Sequence, residues 1–502
     1  MPDSKLRLAE PLAALSVATD LARGQPPEQA LRACVIATHL AGYLGLNAAD
    51  RASTYYATLL RFAGCTATSH EFASLLGGND IAVRFAGDAT DIADGSELMQ
   101  FLANVGRTPE QLPEVVGVVT EATRADCEVG SRTATRLGLG QSVADSLLHI
   151  FERWDGHGLP NGVGGEDIPL PARIGHVAIA AVMFTQARGN AEALSTIERW
   201  SGRVLDPTIA ATFLSHAPEL LGFLNTGDAW QAALAAEPAP WRVVEDDDDL
   251  DEICRVFGDF VDLKTPFLLG HSAQVARLAE GAARALKLNE DDCITLRRAG
   301  FLHDLGRAGI STGIWEKPAP LSTLEAEQAR LHPYHSERIL ERSSLFRPLA
   351  RLVGQHHERS DGSGYFRGLA SSSLDRQSRI LAAADACAEL LEERPGRPAL
   401  TPDEAAKALS AESLDPDILH AVLQVAGAKR QSVANRRPAG LTKREVEVLQ
   451  LLARGLSLNQ IAEQLVISPS TAHSHAAHVY EKAAISTRAG AALFAMEHGL
   501  IS

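Results

Sequence analysis

An all-α protein is what the sequence predicts, and three observations carry that expectation. Aromatic residues make up only 5% of the chain while Ala and Leu abound, a balance that favours helix over strand. Apolar residues in stretches such as 143–148 and 278–288 recur at helical rather than alternating spacing. Late in the chain, Thr442-x-x-Glu445 and Ser457-x-x-Gln460 have the form of capping boxes that open helices. At 502 residues the chain exceeds one hydrophobic core and should divide into about three domains.

Bulk composition excludes several classes. The six cysteines (34, 65, 127, 254, 293 and 387) are scattered without a CxxC pair, which argues against a disulfide framework or zinc knuckle and fits a reducing cytoplasm. Asp3, Lys5, Glu10 and Asp20 interrupt the first residues, so no signal-peptide core is expected. No apolar run nears the roughly 20 residues that span a bilayer, and no membrane partner is expected. The net charge of −16 disfavours DNA binding by the whole surface, so any DNA contact must be local.

The expected order is a first domain at 1–235, a Pro-rich and acidic linker at 236–252, a second domain at 253–428, a basic linker at 429–439 and a tail domain at 440–502. Within the first linker, Glu245, Asp246, Asp247, Asp248 and Asp249 run together and read as a solvated tether. The second carries Lys429, Arg430, Arg436 and Arg437 before Pro438; contact with DNA phosphates and plain tethering both remain open.

The two large domains repeat one another. Glu152-Arg-Trp-Asp-Gly-His-Gly-Leu-Pro-Asn-Gly162 echoes Glu358-Arg-Ser-Asp-Gly-Ser-Gly-Tyr-Phe-Arg-Gly368, and Arg173-Ile174 echoes Arg379-Ile380, all at an offset of 206. Leu44-Gly-Leu-Asn47 matches Leu286-Lys-Leu-Asn289 at an offset of 242. The difference of 36 residues places an insertion in the first copy, within 69–124.

The second copy contains His271, His303-Asp304, His332, His356-His357 and Asp385. Imidazole nitrogens with a few carboxylate oxygens suit iron, manganese or zinc, and an Asp beside a His can bridge two ions. Two metals about 3.5–4 Å apart can activate a water and clamp a phosphate for in-line displacement. One such histidine alone is more often packed or solvated; seven residues, each in a matching local pattern, point to a metal site.

From His271 to about Leu400 the sequence resembles the HD-GYP family of phosphohydrolases, which hydrolyse cyclic di-GMP. His303-Asp304-Leu-Gly306 looks like the namesake motif. Lys317-Pro318, His332-Pro333, His356-His357-Glu358, Asp361-Gly-Ser-Gly-Tyr365 and Arg379-Ile380 through Asp385 follow in the family's order. The resemblance implies His271, His303, Asp304, His332, His356, His357 and Asp385 as ligands of two divalent transition metals. Arg307, Lys317, Tyr365, Arg394 and Arg397 then stand as substrate-binding residues. Some members hold a third metal with a Glu four residues before the first His; here Phe267 stands there, so two metals are expected. Arg307 replaces the family's Lys, and Phe366 replaces the Pro of Gly-Tyr-Pro.

In the first copy the same offsets turn His271 into Gln29, His303-Asp304 into Arg61-Phe62, His356-His357 into Ile150-Phe151 and Asp385 into Ile179. An Ile-Phe pair cannot bind a metal, and the neighbouring His149 reads as structural. Two readings stand for this copy: a sensory or dimerising pseudo-domain, or a packing partner that stabilises its neighbour.

In the tail, the capping box at Thr442 opens a helix with Val446, Leu449, Leu452 and Ala453 on one face, ended by Gly455. Ser457 opens a second that buries Ile461, Ala462 and Leu465. Ser468-Pro469 starts a third with Ala472, Ala476, Val479 and Ala483 inside. Ser470, His473, Ser474 and Ala477 face away, at spacing suited to a major groove. Over 441–500 this tail resembles the LuxR-type four-helix helix-turn-helix domain, carried by Leu441-Thr-x-Arg-Glu445, Val448-Leu449, Gly455, Ile461-Ala462, Ile467-Ser468, Thr471, His475, Lys482 and Arg488. The resemblance implies double-stranded DNA as partner, contacts from Arg444, Ser470, Thr471, His473, Ser474, Ala477 and Lys482, and a homodimer formed by a last helix over 487–498. His473 stands where the family usually has Lys; His475 and His478 read as packing residues. From Arg436 onward seven basic residues face five acidic ones, net +2 against −16 for the chain.

Two functional classes follow: a cytoplasmic DNA-binding regulator whose second domain is a dinuclear phosphodiesterase acting on a cyclic dinucleotide, or a regulator that senses metal and nucleotide in the same pocket without turnover.

Overall fold

The computed structural model describes residues 6–75, 77–88, 90, 94–225, 227–427 and 437–501. Among these residues every regular element is helical, and only isolated β-bridges occur. No helix among them is long and apolar enough to cross a membrane. The chain forms two compact units, 1–250 and 251–502.

In the first unit, helix Gln29–Tyr43 packs against Ala48–Leu59 and Leu170–Arg188, burying Leu31, Ile36, Leu40, Leu59 and Ile174. In the second, helix His271–Ala285 packs against Glu290–Leu302 and Arg376–Leu391, with Val275, Leu278, Leu296 and Leu381 inside. Three polar anchors repeat between the units and show that one scaffold was used twice. The buried Asp20 carboxylate accepts from the Ala30 amide (3.2 Å), as Asp262 accepts from Ser272 (2.9 Å), each satisfying an orphan donor at a helix start. Asn47 caps Ala48–Leu59 through the Asp50 amide just as Asn289 caps Glu290–Leu302 through Asp292, a cap of about 1 kcal/mol. Glu152 clamps its loop by accepting from the amides of Asn161 and Val163 (both 2.9 Å), and Glu358 does the same with Arg367 (2.8 Å) and Leu369 (2.7 Å). The helices Ser69–Leu75, Asp80–Asp88 and Gly95–Asn104, and the front half of Leu112–Arg136, fill the place where the sequence put its insertion.

Two expectations need correction. The acidic run is not an extended tether: Asp247, Asp248 and Asp249 form the first turn of helix Asp247–Asp262, where carboxylates complement the positive end of the helix dipole. Glu237, placed in the same linker, is buried, accepting from Arg7 Nε (2.7 Å) and from the Tyr56 hydroxyl. Of the basic linker, Lys429, Arg430 and Arg436 lie outside the described residues.

The tail forms helices Lys443–Ala453, Leu458–Leu465, Pro469–Ala483 and Arg488–Glu497, with capping boxes at Thr442 and Ser457 and Ser468 capping through the Thr471 amide. Val448, Leu451, Leu452, Ile461, Ala462, Ala472 and Ala476 make its core. Val446 is only half-buried, and Val448 takes the position in the core that the periodicity gave to it. Gly455 has φ +98°, a left-handed conformation that residues with a Cβ rarely adopt, so the turn favours glycine.

Candidate metal centre

Five helices deliver the second unit's histidines and aspartates to one point. His271 begins helix His271–Ala285, and His303-Asp304 end Glu290–Leu302. His332 begins His332–Leu340, His356-His357 follow Arg347–Val353, and Asp385 lies inside Arg376–Leu391. Gly306 permits this convergence, because a Cβ there would stand 2.1 Å from the His332 carbonyl oxygen. All seven side chains are buried.

Each imidazole of the inner four spends its Nδ1 on a fixed partner. His303 meets the Gly300 carbonyl (2.8 Å), His332 that of Ala329 (2.7 Å) and His356 that of Val353 (2.6 Å), while His271 meets the Glu392 carboxylate (2.9 Å). With Nδ1–H donated, the Nε2 lone pairs point inward. They surround Asp304: Oδ2 lies 3.3 Å from His271 Nε2 and 3.2 Å from His303 Nε2, and Oδ1 lies 3.3 Å from His332 Nε2 and 3.6 Å from His356 Nε2. Asp385 Oδ1 sits 3.4 Å from His271 and 3.5 Å from His303, and its Oδ2 is 3.7 Å from His357 Nδ1.

Among the described residues, both oxygens of Asp304 and Asp385 and the Nε2 atoms of His271, His303 and His357 make no hydrogen bond. Seven buried acceptor atoms facing one another are costly unless cations stand among them. Two clusters, His271–His303–Asp304 and His332–His356–His357, are compact enough for one ion each, and Asp304 lies between them. Electrostatics divide the halves. Burial opposes charging of His303, but Asp304 and Asp385 outweigh it and raise that ring to about 9. Burial instead pushes His332 down to about 4. Divalent cations suit both halves, taking neutral imidazole on one side and anionic carboxylate on the other. The residues present fit two metals.

Of the expected substrate residues, Arg307, Arg394 and Arg397 share a cavity of about 300 Å³ with Phe267, Trp315 and Glu389. Arg307 is buried, 2.7 Å from Asp304 and 3.0 Å from Glu389, and lies over the Trp315 ring. Arg394 donates to the Phe267 carbonyl (2.6 Å) and to Glu392 (2.9 Å); Arg397 donates to the carbonyls of Leu390 and Glu389. Tyr365 stacks on His357 with ring centroids 4.6 Å apart. Lys317 stands apart from this cavity, paired with Glu325 at 2.6 Å. The sequence reading missed Glu389 and Glu392; their spacing from Asp385, four and seven residues on one helical face, was the available signal.

In the first unit, among the described residues, the corresponding point holds no such cluster. The Arg61 guanidinium donates to the Ile150 carbonyl, Gln29 bonds Gln25 (3.0 Å) and Gln186 (2.8 Å), and Ile179 is buried. His149 Nδ1 meets the Asp145 carbonyl at 2.8 Å, a structural role.

On the tail's third helix Ser470, Thr471, His473, Ser474 and Ala477 are exposed in a row. Ser470 and Thr471 bond the capping Ser468 hydroxyl at 2.9 and 2.7 Å. Lys482 pairs with the buried Glu445 at 2.7 Å, and Arg444 pairs with Glu447 at 2.7 Å and donates to the Leu465 carbonyl. His478 is exposed rather than packed, 3.7 Å from Glu445.

Comparison with known proteins agrees with this layout. A family model described as an HD domain matches residues 127–209 and again 255–418, and one for bacterial regulatory proteins of the luxR family matches 439–495. The chain is 32% identical, over 79% of its length and 89% of the relative's, to the 3'3'-cGAMP-specific phosphodiesterase 3 of Vibrio cholerae. It is 34% identical, over 31% of its length and 43% of the relative's, to the cyclic di-GMP phosphodiesterase response regulator RpfG of Xanthomonas campestris. A crystal structure of the cyclic GMP-AMP specific phosphodiesterase V-cGAP3 of V. cholerae superposes with a TM-score of 0.59 at 28% identity, covering 84% of this chain and 98% of that one.

Proposed function

From the premise that this chain belongs to the HD-domain phosphodiesterases and ends in a LuxR-type domain, we propose a DNA-binding regulator whose second unit is a dinuclear metal-dependent phosphodiesterase for a cyclic dinucleotide. One observation carries the reading: seven buried ligand-type side chains converge on one point, and five of them, His271, His303, Asp304, His357 and Asp385, aim nitrogen or oxygen atoms there that make no hydrogen bond.

His271, His303, Asp304 and Asp385 would hold one metal and Asp304, His332, His356 and His357 the other, with iron, manganese and zinc all suited to these donors. Bound metals would supply Lewis acidity at phosphorus and a deprotonated water. The chain's own residues do the rest. Arg307 places a fixed guanidinium beside Asp304, where charge grows on a phosphoryl oxygen. Arg394 and Arg397 extend positive charge along the same cavity to receive the second phosphate. Tyr365, stacked on His357, adds an aromatic wall beside the centre and excludes water there.

On the tail, His473 and Ser474 meet base edges and a homodimer reads a two-fold site. Nucleotide occupancy then shifts the dimer arrangement, a coupling of about 1–3 kcal/mol in such systems.

A second reading, sensing without turnover, draws on Arg307, whose pairing with both Asp304 and Glu389 occupies the space beside the centre. Metal analysis with hydrolysis assays on 3'3'-cGAMP and cyclic di-GMP separates the two. We expect about two metals per chain, turnover by wild type, and nucleotide binding without turnover in Asp304→Asn. A wild type that binds nucleotide and shifts its DNA affinity without hydrolysis would establish the sensor; a metal-free protein after metal-replete purification would overturn both.

A further inference from the structure

The insertion of the first unit builds a chamber of its own. Helices Asp80–Asp88, Gly95–Asn104 and Leu112–Arg136 enclose a cavity of about 390 Å³, walled by Val83, Phe101, Leu102, Val115, Val119 and Leu159. Its polar end is formed by Arg23, Arg84, Asp88 and Asp126. A second cavity of about 200 Å³, at the point equivalent to the metal centre, adjoins it and shares Arg23, Asp88 and Phe151 while adding Arg61. Asp126 stands at the offset of 206 from His332, so a former ligand position now carries a carboxylate.

The two guanidiniums at this end are not equally paired. Arg23 pairs with Asp88 and lies over the Phe62 ring. Arg84 gives its hydrogen bonds to neutral oxygens, the Cys65 carbonyl (2.6 Å) and the Thr68 hydroxyl. Arg61 bonds the Ile150 carbonyl. Among the described residues Arg84, buried at this end, therefore has no carboxylate in hydrogen-bond or ion-pair contact, whereas Arg23 has Asp88. Among the described residues the Nε atoms of Arg23, Arg61 and Arg84 and one oxygen of Asp126 have no hydrogen-bond partner. A guanidinium held out of water without a carboxylate partner, at the mouth of an apolar chamber, is costly unless an anion joins it. The chamber's volume falls in the range of small-molecule sites, with apolar walls and few convergent polar groups.

We propose that the first unit is a receptor for a small amphipathic monoanion, a carboxylate head on an apolar body of about a dozen heavy atoms. The head meets Arg84 and Arg23, and the body lies among Phe101, Leu102, Val115 and Val119. This gives the metal-free copy a sensory role and explains why its insertion packs apolar residues around a void rather than closing it.

The test is calorimetric titration of the full-length protein with octanoate, decanoate and octan-1-ol. One carboxylate should bind per chain, at least about tenfold tighter than the alcohol, the margin expected of a buried charge-assisted hydrogen bond. Arg84→Met should weaken the carboxylates by about tenfold and leave the alcohol within about twofold. Because Arg84 also holds the Cys65 turn, Val119→Trp serves as the independent variant: it fills the chamber, leaves every arginine in place, and should abolish binding of all three probes with circular dichroism unchanged. Absence of carboxylate binding, equal affinity for acid and alcohol, or wild-type binding by Val119→Trp would each overturn the proposal.

Discussion

Replacing Glu392 by Gln should loosen one metal of the pair and spare the other. Glu392 contacts His271 alone among the seven converging residues, through Nδ1 at 2.9 and 3.1 Å, and also accepts from Arg394 at 2.9 Å. It fixes the ring so that Nε2 faces Asp304 and Asp385, and its negative charge strengthens that nitrogen as a donor. Gln keeps the shape and one acceptor oxygen but loses the charge. Partners of this kind are worth about 10- to 100-fold in metal affinity, or about 1.4–2.7 kcal/mol. The lower end applies if the Gln carbonyl still receives the Nδ1 proton, the upper end if the ring turns. The assay is metal content after dialysis against graded chelator, with circular dichroism as the control for folding. The expected result is two classes of site, one weakened and one as in wild type, because His332 and His356 are oriented by backbone carbonyls that the substitution leaves alone. Equal retention of both metals would refute the assignment of Glu392 as a positioning residue, and simultaneous loss of both would refute the division into two halves.

Two further outcomes are expected. His473→Ala, on the exposed face of the third tail helix, should relax DNA preference at one base position by about 1–3 kcal/mol, measured by competition between operator variants; uniform weakening across all sequences would show a phosphate contact instead. In the same domain, burial opposes charging of Glu445, but Lys482 and the Thr442 amide outweigh it and hold the carboxyl down to about 2. Since the unfolded value is about 4.3, the stabilisation is complete above that pH and is lost as pH falls from there through about 2. Glu445→Gln should cost the tail about 1–2 kcal/mol of hydrogen-exchange protection at pH 6 and only a small part of that at pH 2, where protonation has removed most of the charge; protection equal to wild type at pH 6 would remove the ion pair from the stability account.

Much of this protein was legible in one dimension. Capping boxes, a Ser-Pro helix start and a turn glycine are local signals whose partners lie three or four residues away, so the tail's helices could be read directly. The duplication was legible because the loops clamped by Glu152 and Glu358 keep the same residues at the same spacing. The seven converging residues could be listed because they sit in recognisable local patterns. Tertiary structure decided what spacing cannot express. That Asp304 is the hub, with one oxygen toward each pair of histidines, depends on helices about 30 to 80 residues apart in sequence meeting at one point. Lys317 was grouped with the substrate residues by its motif, yet a nearby Glu325 captures it. Lys482 and Arg444 stood among the residues expected at DNA, and the fold pairs each with a carboxylate of its own domain. An acidic run looked like a tether because charge repulsion was weighed without the helix dipole that it caps. Local chemistry is written in neighbours along the chain; charge pairing and enclosed volume depend on which distant segments meet, and so the arginine-rimmed chamber of the first unit appeared only once the chain was folded.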